Sequence, residues 1–170
     1  MRRPSRLEPT SPGHGEFDGV ADFYDHLMRS VPYDEWVDYV EALVDRWHAR
    51  PRQVLDLACG TGQVGAELLR RGYDVWGADL STPMVRHCAR REPPLPAVVC
   101  DARALALAGS SFDLVVSLYD SLNYILELEG FQAAVAEAWR VLRPGGLFVF
   151  DLNTTRALST EMFTQASLYG

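Results

Sequence analysis

Gln53-Val54-Leu55-Asp56-Leu57-Ala58-Cys59-Gly60-Thr61-Gly62-Gln63-Val64-Gly65 is the stretch that decides how this chain folds. Val54 to Leu57 is a short, mostly apolar run that reads as a strand. The glycines that follow let the backbone turn sharply and come close to a ligand. Gln63 to Arg71 reads as a helix, stopped by Gly72. Gly60, Gly62 and Gly65 satisfy the G-x-G-x-x-G spacing, and the strand–loop–helix setting gives that spacing its meaning.

Downstream, the same alternation repeats. Asp74 to Ala78, Ala97 to Cys100, Asp113 to Ser117 and Leu147 to Leu152 read as four more strands. Ser81-Thr82-Pro83 opens a helix whose inner face carries Met84, Val85 and Cys88. A helix from about Leu128 to Leu142 carries Phe131, Val135, Ala138, Trp139 and Leu142, and Arg143-Pro144-Gly145-Gly146 is a turn. Strands alternating with helices at this spacing predict an α/β fold: a doubly wound parallel sheet with helices on both faces. Upstream, Val20 to Arg29 and Tyr33 to Ala49 read as helices, the second carrying Trp36, Val40, Leu43, Val44 and Trp47 at helical spacing. Residues 1–16 have almost nothing to bury and read as a disordered leader.

Composition narrows the function. The chain has 170 residues, 48% hydrophobic and 23% charged, a balance expected of a soluble globular domain. A net charge of −7 argues against nucleic acid or an anionic membrane as a partner. All 16 basic residues are Arg. Without Lys there is no P-loop, no kinase strand lysine and no Schiff-base cofactor. Cys59, Cys88 and Cys100 form no CxxC pair and have no His at metal-ligand spacing, so the expectation is a reducing cytoplasm and no metal site. No apolar stretch reaches membrane-spanning length.

In an open parallel sheet, ligands bind outside the carboxyl ends of the strands, near the switch in strand order. Acids leave three successive strands there: the loop that begins at Asp56, then Asp79, then Asp101. Asp79 lies 19 residues beyond Gly60, where a ribose-binding acid belongs. A dinucleotide rests its pyrophosphate on the helix N-terminus, and a carboxylate at Asp56 would repel it. The same carboxylate suits a cationic ligand. That polarity favours S-adenosylmethionine over NAD.

Val54 to Gly62 resembles the first motif of the class I S-adenosylmethionine-dependent methyltransferases. The resemblance continues, in order and spacing, through Gly77-Ala78-Asp79-Leu80-Ser81, Cys100-Asp101-Ala102, Phe112-Asp113-Leu114-Val115 and Leu142-Arg143-Pro144-Gly145-Gly146. It covers about residues 53–153. Ala21-Asp22-Phe23-Tyr24-Asp25 and Tyr119-Asp120-Ser121-Leu122-Asn123-Tyr124 resemble the subgroup acting on small molecules. The resemblance implies a Rossmann-like core over residues 51–170, an N-terminal helical lid over 17–50, and methyl transfer to a small-molecule acceptor.

It also implies site roles. The backbone of Ala58 to Gly62, with Gly60 and Gly62, packs against methionine and ribose. Asp56 faces the methionine amino group, and Asp79 accepts both ribose hydroxyls. Leu80 and Met84 border the adenine. Asp101 accepts from the adenine amine, and the Ala102 amide donates to the ring. Ser117 and Leu118 line the methionine end, while Tyr24, with Tyr33, closes from above. No residue is assigned as a catalytic acid or base.

The family's sheet ends in an antiparallel hairpin after the fifth strand. Only 18 residues follow Leu152 here, so the expectation is a chain truncated after that strand, with the hairpin missing. An open sheet edge invites self-association. Two further readings stand beside an active enzyme: a module that binds S-adenosylmethionine without turnover, and an NAD(P)-dependent oxidoreductase. Asp56 and the lack of room for a substrate domain oppose the latter.

Overall fold

The computed structural model describes residues 17–159. The expected leader at 1–16 lies outside the described residues, as do residues 160–170.

Five strands form one sheet: β1 (Gln53–Leu57), β2 (Asp74–Asp79), β3 (Ala97–Val99), β4 (Phe112–Ser117) and β5 (Leu142–Phe150). Their order is β3-β2-β1-β4-β5, and every pairing is parallel. The chain winds outward from β1 to β3, then returns to place β4 on the other side of β1. That reversal opens the crevice beyond the carboxyl ends of β1 and β4.

Among the described residues six helices accompany the sheet: α1 (Ala21–Leu27), α2 (Tyr33–Arg46), α3 (Gln63–Arg70), α4 (Thr82–Cys88), α5 (Leu128–Val141) and α6 (Thr155–Ser159). A 3-10 turn spans Ser121–Tyr124. On one face, Val37, Val40 and Val44 of α2 and Val64 and Leu68 of α3 pack over Val54, Val75, Leu114 and Val116. On the other, Ala138 and Val141 of α5 pack over Leu55, Leu57, Ala78 and Val115. Alternation along β1 sends Val54 and Leu55 to opposite layers, as a strand buried on both faces requires.

Two glycines permit close approach beneath the loop. A Cβ on Gly65 would lie 2.5 Å from Leu95 Cδ2 and 3.0 Å from Asp56 Oδ2. One on Gly77 would lie 2.8 Å from Cys59 Sγ.

Some elements differ from expectation. The turn Arg143-Pro144-Gly145-Gly146 does not precede β5 but loops out of it: Phe112 pairs Leu142, and Leu114 pairs Leu147. Arg143 Nη1 fixes this bulge by donating to Asp113 Oδ1 at 2.6 Å, and Gly145 supplies a φ of 84°. β5 ends at Phe150 rather than Leu152, because the chain turns at Asp151 toward the β4 exit. Trp47 and Trp139, named with the apolar positions of their helices, are 69% and 80% exposed. α2 ends at Arg46, and His48 turns the chain with a φ of 52° before Trp47 can pack. In α5 the buried stripe is Ala134, Ala138 and Val141, whose small members let the helix sit close to the sheet, and it turns Trp139 away.

Candidate functional site

The loop after β1 is built on left-handed backbone. Ala58, Gly60 and Gly62 have φ of 59°, 54° and 84°. Gly62 N–H donates to Cys59 O at 2.8 Å, closing the turn, and Gly62 then caps α3. Cys59 N–H donates to Ala78 O at 3.1 Å, which ties the loop to β2.

Asp79 organises the next exit. Its Oδ2 accepts from Gly60 N–H at 2.8 Å, and its Oδ1 accepts from Ser81 N–H at 2.8 Å. One carboxylate thereby fixes both the glycine loop and the start of α4. The Leu80 amide faces the same carboxylate, which offers about four lone-pair sites in all. Burial raises the Asp79 pKa, opposed by the Ser81 and Gly60 amides.

Asp56 is 3% exposed, and its Oδ2 has no hydrogen-bond partner among the described residues. Burial pushes its pKa up to about 7, the Gly65 amide pulls it down, and the Asp79 charge adds to the rise. Three other buried polar atoms are likewise unpartnered: Ser117 Oγ, the Tyr119 hydroxyl and Asp151 Oδ1. All four belong to the exits of β1, β4 and β5. Buried polar atoms without partners are rare in native proteins. Four at one strand switch point to a ligand that supplies donors.

The β4 exit is strained. Tyr119 and Asp120 both have positive φ, 62° and 49°, conformations that cost on the order of 1–3 kcal/mol each. The β5 exit holds them. Asp120 N–H donates to Asp151 Oδ2 at 2.8 Å, and Asn153 Nδ2 donates to Asp120 Oδ2 at 2.5 Å.

Aromatic rings roof the crevice. Tyr119 packs on Tyr33 and Trp36 at centroid distances of 5.2 and 4.9 Å, and Tyr24 meets Phe17 edge-on at 6.0 Å. Burial, with nearby acids, raises the Tyr24 pKa to about 12 and lifts Tyr33 and Tyr119 further, so all three phenols stay protonated.

The resulting cleft holds about 40 Å³. Tyr24, Asp56, Ala58, Gly60 and Leu118 line it, and among the described residues no cationic side chain does. Asp79 joins it through Gly60. Gly62 lies behind as the α3 cap. Leu80 and Met84 lie at the start of α4, where Met84 is buried and donates its N–H to Ser81 Oγ at 3.3 Å. Asp101 stands at the β3 exit with Arg103 folded over it, Nη2 2.6 Å from Oδ2, which holds its pKa below the usual range. Ala102 packs at the margin of the α5 layer, and Ser117 is fully buried at the end of β4.

Asp25, Thr61 and Arg91 were invisible as a unit in the sequence. They meet beside the glycine loop, and residues 30 and 66 positions apart leave no local signal.

A doubly wound parallel sheet, a left-handed glycine loop after β1 and an acid clamping that loop from β2 define a Rossmann-like nucleotide-cofactor domain. Residues 54–146 match the methyltransferase domain family, and the chain belongs to it. It is 40% identical over 138 residues to a demethylmenaquinone methyltransferase of Beutenbergia cavernae, covering 79% of this chain and 55% of that one. It is 33% identical over 133 residues to a dTDP-3-amino-3,4,6-trideoxy-alpha-D-glucopyranose N,N-dimethyltransferase of Streptomyces venezuelae, covering 77% and 56%. The crystal structure of an S-adenosylmethionine-dependent methyltransferase from Clostridium acetobutylicum matches with a TM-score of 0.72 at 30% identity, over 84% of this chain and 60% of that one. The chain spans 55–60% of the length of the curated relatives it matches best.

Proposed function

We propose that this chain binds S-adenosylmethionine at the switch between β1 and β4 and forms the cofactor half of an enzyme that methylates a small molecule. The observation that carries the reading is Asp56: a buried carboxylate, unpartnered at Oδ2 among the described residues, beside a glycine loop and a second acid, Asp79, on the neighbouring strand. A cationic amino group is the partner it needs. Asp79 accepts from the ribose hydroxyls. The Ala58–Gly62 backbone, Leu118 and Ser117 border the methionine end. Leu80 and Met84 flank the adenine, and Asp101 and Ala102 face its edge. Tyr24 covers the site.

When bound, the cofactor supplies a methyl group already activated on sulfonium. The chain's work is then to hold the acceptor in line and exclude water. Protonated phenols at Tyr24, Tyr33 and Tyr119 can donate hydrogen bonds but not act as bases. A cleft wall without cations favours a neutral or cationic acceptor over an anion. A demethylmenaquinone methyltransferase and a dTDP-amino-sugar N,N-dimethyltransferase among the relatives support a small-molecule acceptor without fixing its charge. Asp79→Ala tests the placement of the ribose. It should weaken S-adenosylhomocysteine binding by about tenfold or more in calorimetry, and unchanged affinity would refute it.

Among the described residues no helix is long and apolar enough to cross a membrane. A cytoplasmic location, with thiols kept reduced, and no nucleic-acid partner complete the reading. Among the described residues β5 has β4 on one side and no strand on the other, and Phe148 and Phe150 lie near that edge. Pairing of two copies along it predicts a concentration-dependent dimer in sedimentation velocity; a monomer at all concentrations would exclude it.

A further inference from the structure

Helix α1 is held over the cleft in an unusual way. It has seven residues, too few to be stable alone, and Ala21 is its one buried residue. Phe23 and Leu27 point to solvent. What attaches it is largely polar. Asp18, Asp22 and Asp25, spaced to share one side, reach Ser81, His87 and Arg91 at the start, last turn and far end of the α4 segment. Edge-on rings add a smaller contact, Phe17 bridging Tyr24 and Tyr124.

Arg91 is the centre of this arrangement. Its side chain is 16% exposed. Nη2 reaches both Asp25 oxygens at 2.5 and 2.6 Å and Thr61 Oγ1 at 2.8 Å, while Nε donates to Thr61 O at 2.8 Å. Thr61 Oγ1 donates in turn to Asp25 Oδ1 at 2.6 Å. Thr61 belongs to the glycine loop, and Asp25 is the neighbour of Tyr24, which roofs the cleft. One side chain therefore ties roof to floor. Burial opposes ionisation of Asp25, yet Thr61 and Arg91 outweigh it and keep the carboxyl charged.

The cleft under α1 has about 40 Å³ of water-accessible space, room for a few waters. Pockets for drug-sized ligands run to several hundred Å³. Tyr24 of α1 lines this cleft, so swinging α1 away widens the entrance for a nucleoside with an amino-acid tail, and that motion breaks the Asp25–Arg91–Thr61 contacts. We propose that Arg91 is a positioning residue: it latches α1 onto the glycine loop and sets how fast the bound cofactor leaves. The proposal rests on the cofactor reading above. A partly exposed ionic latch opens more readily as salt rises, unlike an apolar lid.

Two readouts test it separately, on Arg91→Met, Arg91→Lys and Asp25→Asn. In the free protein, hydrogen exchange of the α1 amides should quicken about tenfold in Arg91→Met and Asp25→Asn, with α5 amides unchanged. Arg91→Lys keeps the charge but loses the fork, and should fall between. In stopped flow, S-adenosylhomocysteine should dissociate about tenfold faster from Arg91→Met, and added salt should speed release from the wild type more than from the variant. Unchanged α1 exchange in both charge-removing variants would overturn the latch, whether or not the ligand binds. Faster α1 exchange with an unchanged dissociation rate would overturn its role in cofactor release. Absence of S-adenosylhomocysteine binding to the wild type would instead count against the cofactor reading, leaving the exchange result to decide the latch.

Discussion

At the scale of single residues, Asp56 carries the most information. Its pKa in the folded chain, about 7, stands above the ordinary 3.8 because burial disfavours its charge. The folded state therefore holds an extra proton between about pH 4 and pH 7, and Asp56's contribution to stability falls as pH rises through that window. A cationic ligand group reverses the balance by favouring the carboxylate. S-adenosylhomocysteine affinity should accordingly strengthen as pH rises, by up to about tenfold per unit below pH 7, and level off above it. In Asp56→Asn the slope should vanish. Calorimetry from pH 5.5 to 8 checks this, and an equal slope in the variant would remove Asp56 from the site. Position and residue type were legible for Asp56 and Asp79, because acids at strand exits show in any strand–loop pattern. Their partners were not. Gly60 N–H on Asp79 and the orphaned Oδ2 of Asp56 follow from how the loop closes in space.

At the scale of elements, the glycine loop and α3 depend on a tight fit. Gly65 sits where a methyl group would meet Leu95 Cδ2 at 2.5 Å and Asp56 Oδ2 at 3.0 Å. Leu95 is buried against the α3 layer and has little room to yield. Gly65→Ala should therefore destabilise the fold by about 1–3 kcal/mol, read as a lower denaturant midpoint with an unchanged slope. An unchanged midpoint would show that Leu95 repacks freely. The motif spacing already marked Gly65, but its physical reason is this contact, made with a residue 30 positions away. Helix faces were harder to read. In α5 the residues Phe131, Val135 and Trp139 recur at helical spacing, yet Ala134, Ala138 and Val141 are the ones buried. Hydrophobicity favours the large residues, whereas close approach to a sheet favours the small ones. The bulge of Arg143 to Gly146 was misplaced for a similar reason. A turn composition says that the chain bends, not that pairing resumes on both sides of the bend.

At the scale of the whole molecule, strand order and site location follow from one topological fact, the return of the chain from β3 to a place beside β1. Alternating strand and helix signals were enough to anticipate it, because parallel strands need crossovers and crossovers set the winding. The absence of Lys also finds its counterpart. The crevice is lined by carboxylates, backbone amides and phenols, and the nearby Arg91 braces the lid rather than gripping phosphate. The latch stayed hidden because it joins α1, the glycine loop and the end of α4, three segments with no shared sequence pattern. The central claim is that the crevice is built for the nucleoside and amino acid of S-adenosylmethionine rather than for a dinucleotide. Calorimetric titration of this chain with S-adenosylhomocysteine and, in parallel, with NAD tests it most directly. The account predicts saturable binding of S-adenosylhomocysteine to one site, weakened about tenfold or more in Asp79→Ala, and no binding of NAD; saturable binding of NAD without binding of S-adenosylhomocysteine would contradict it.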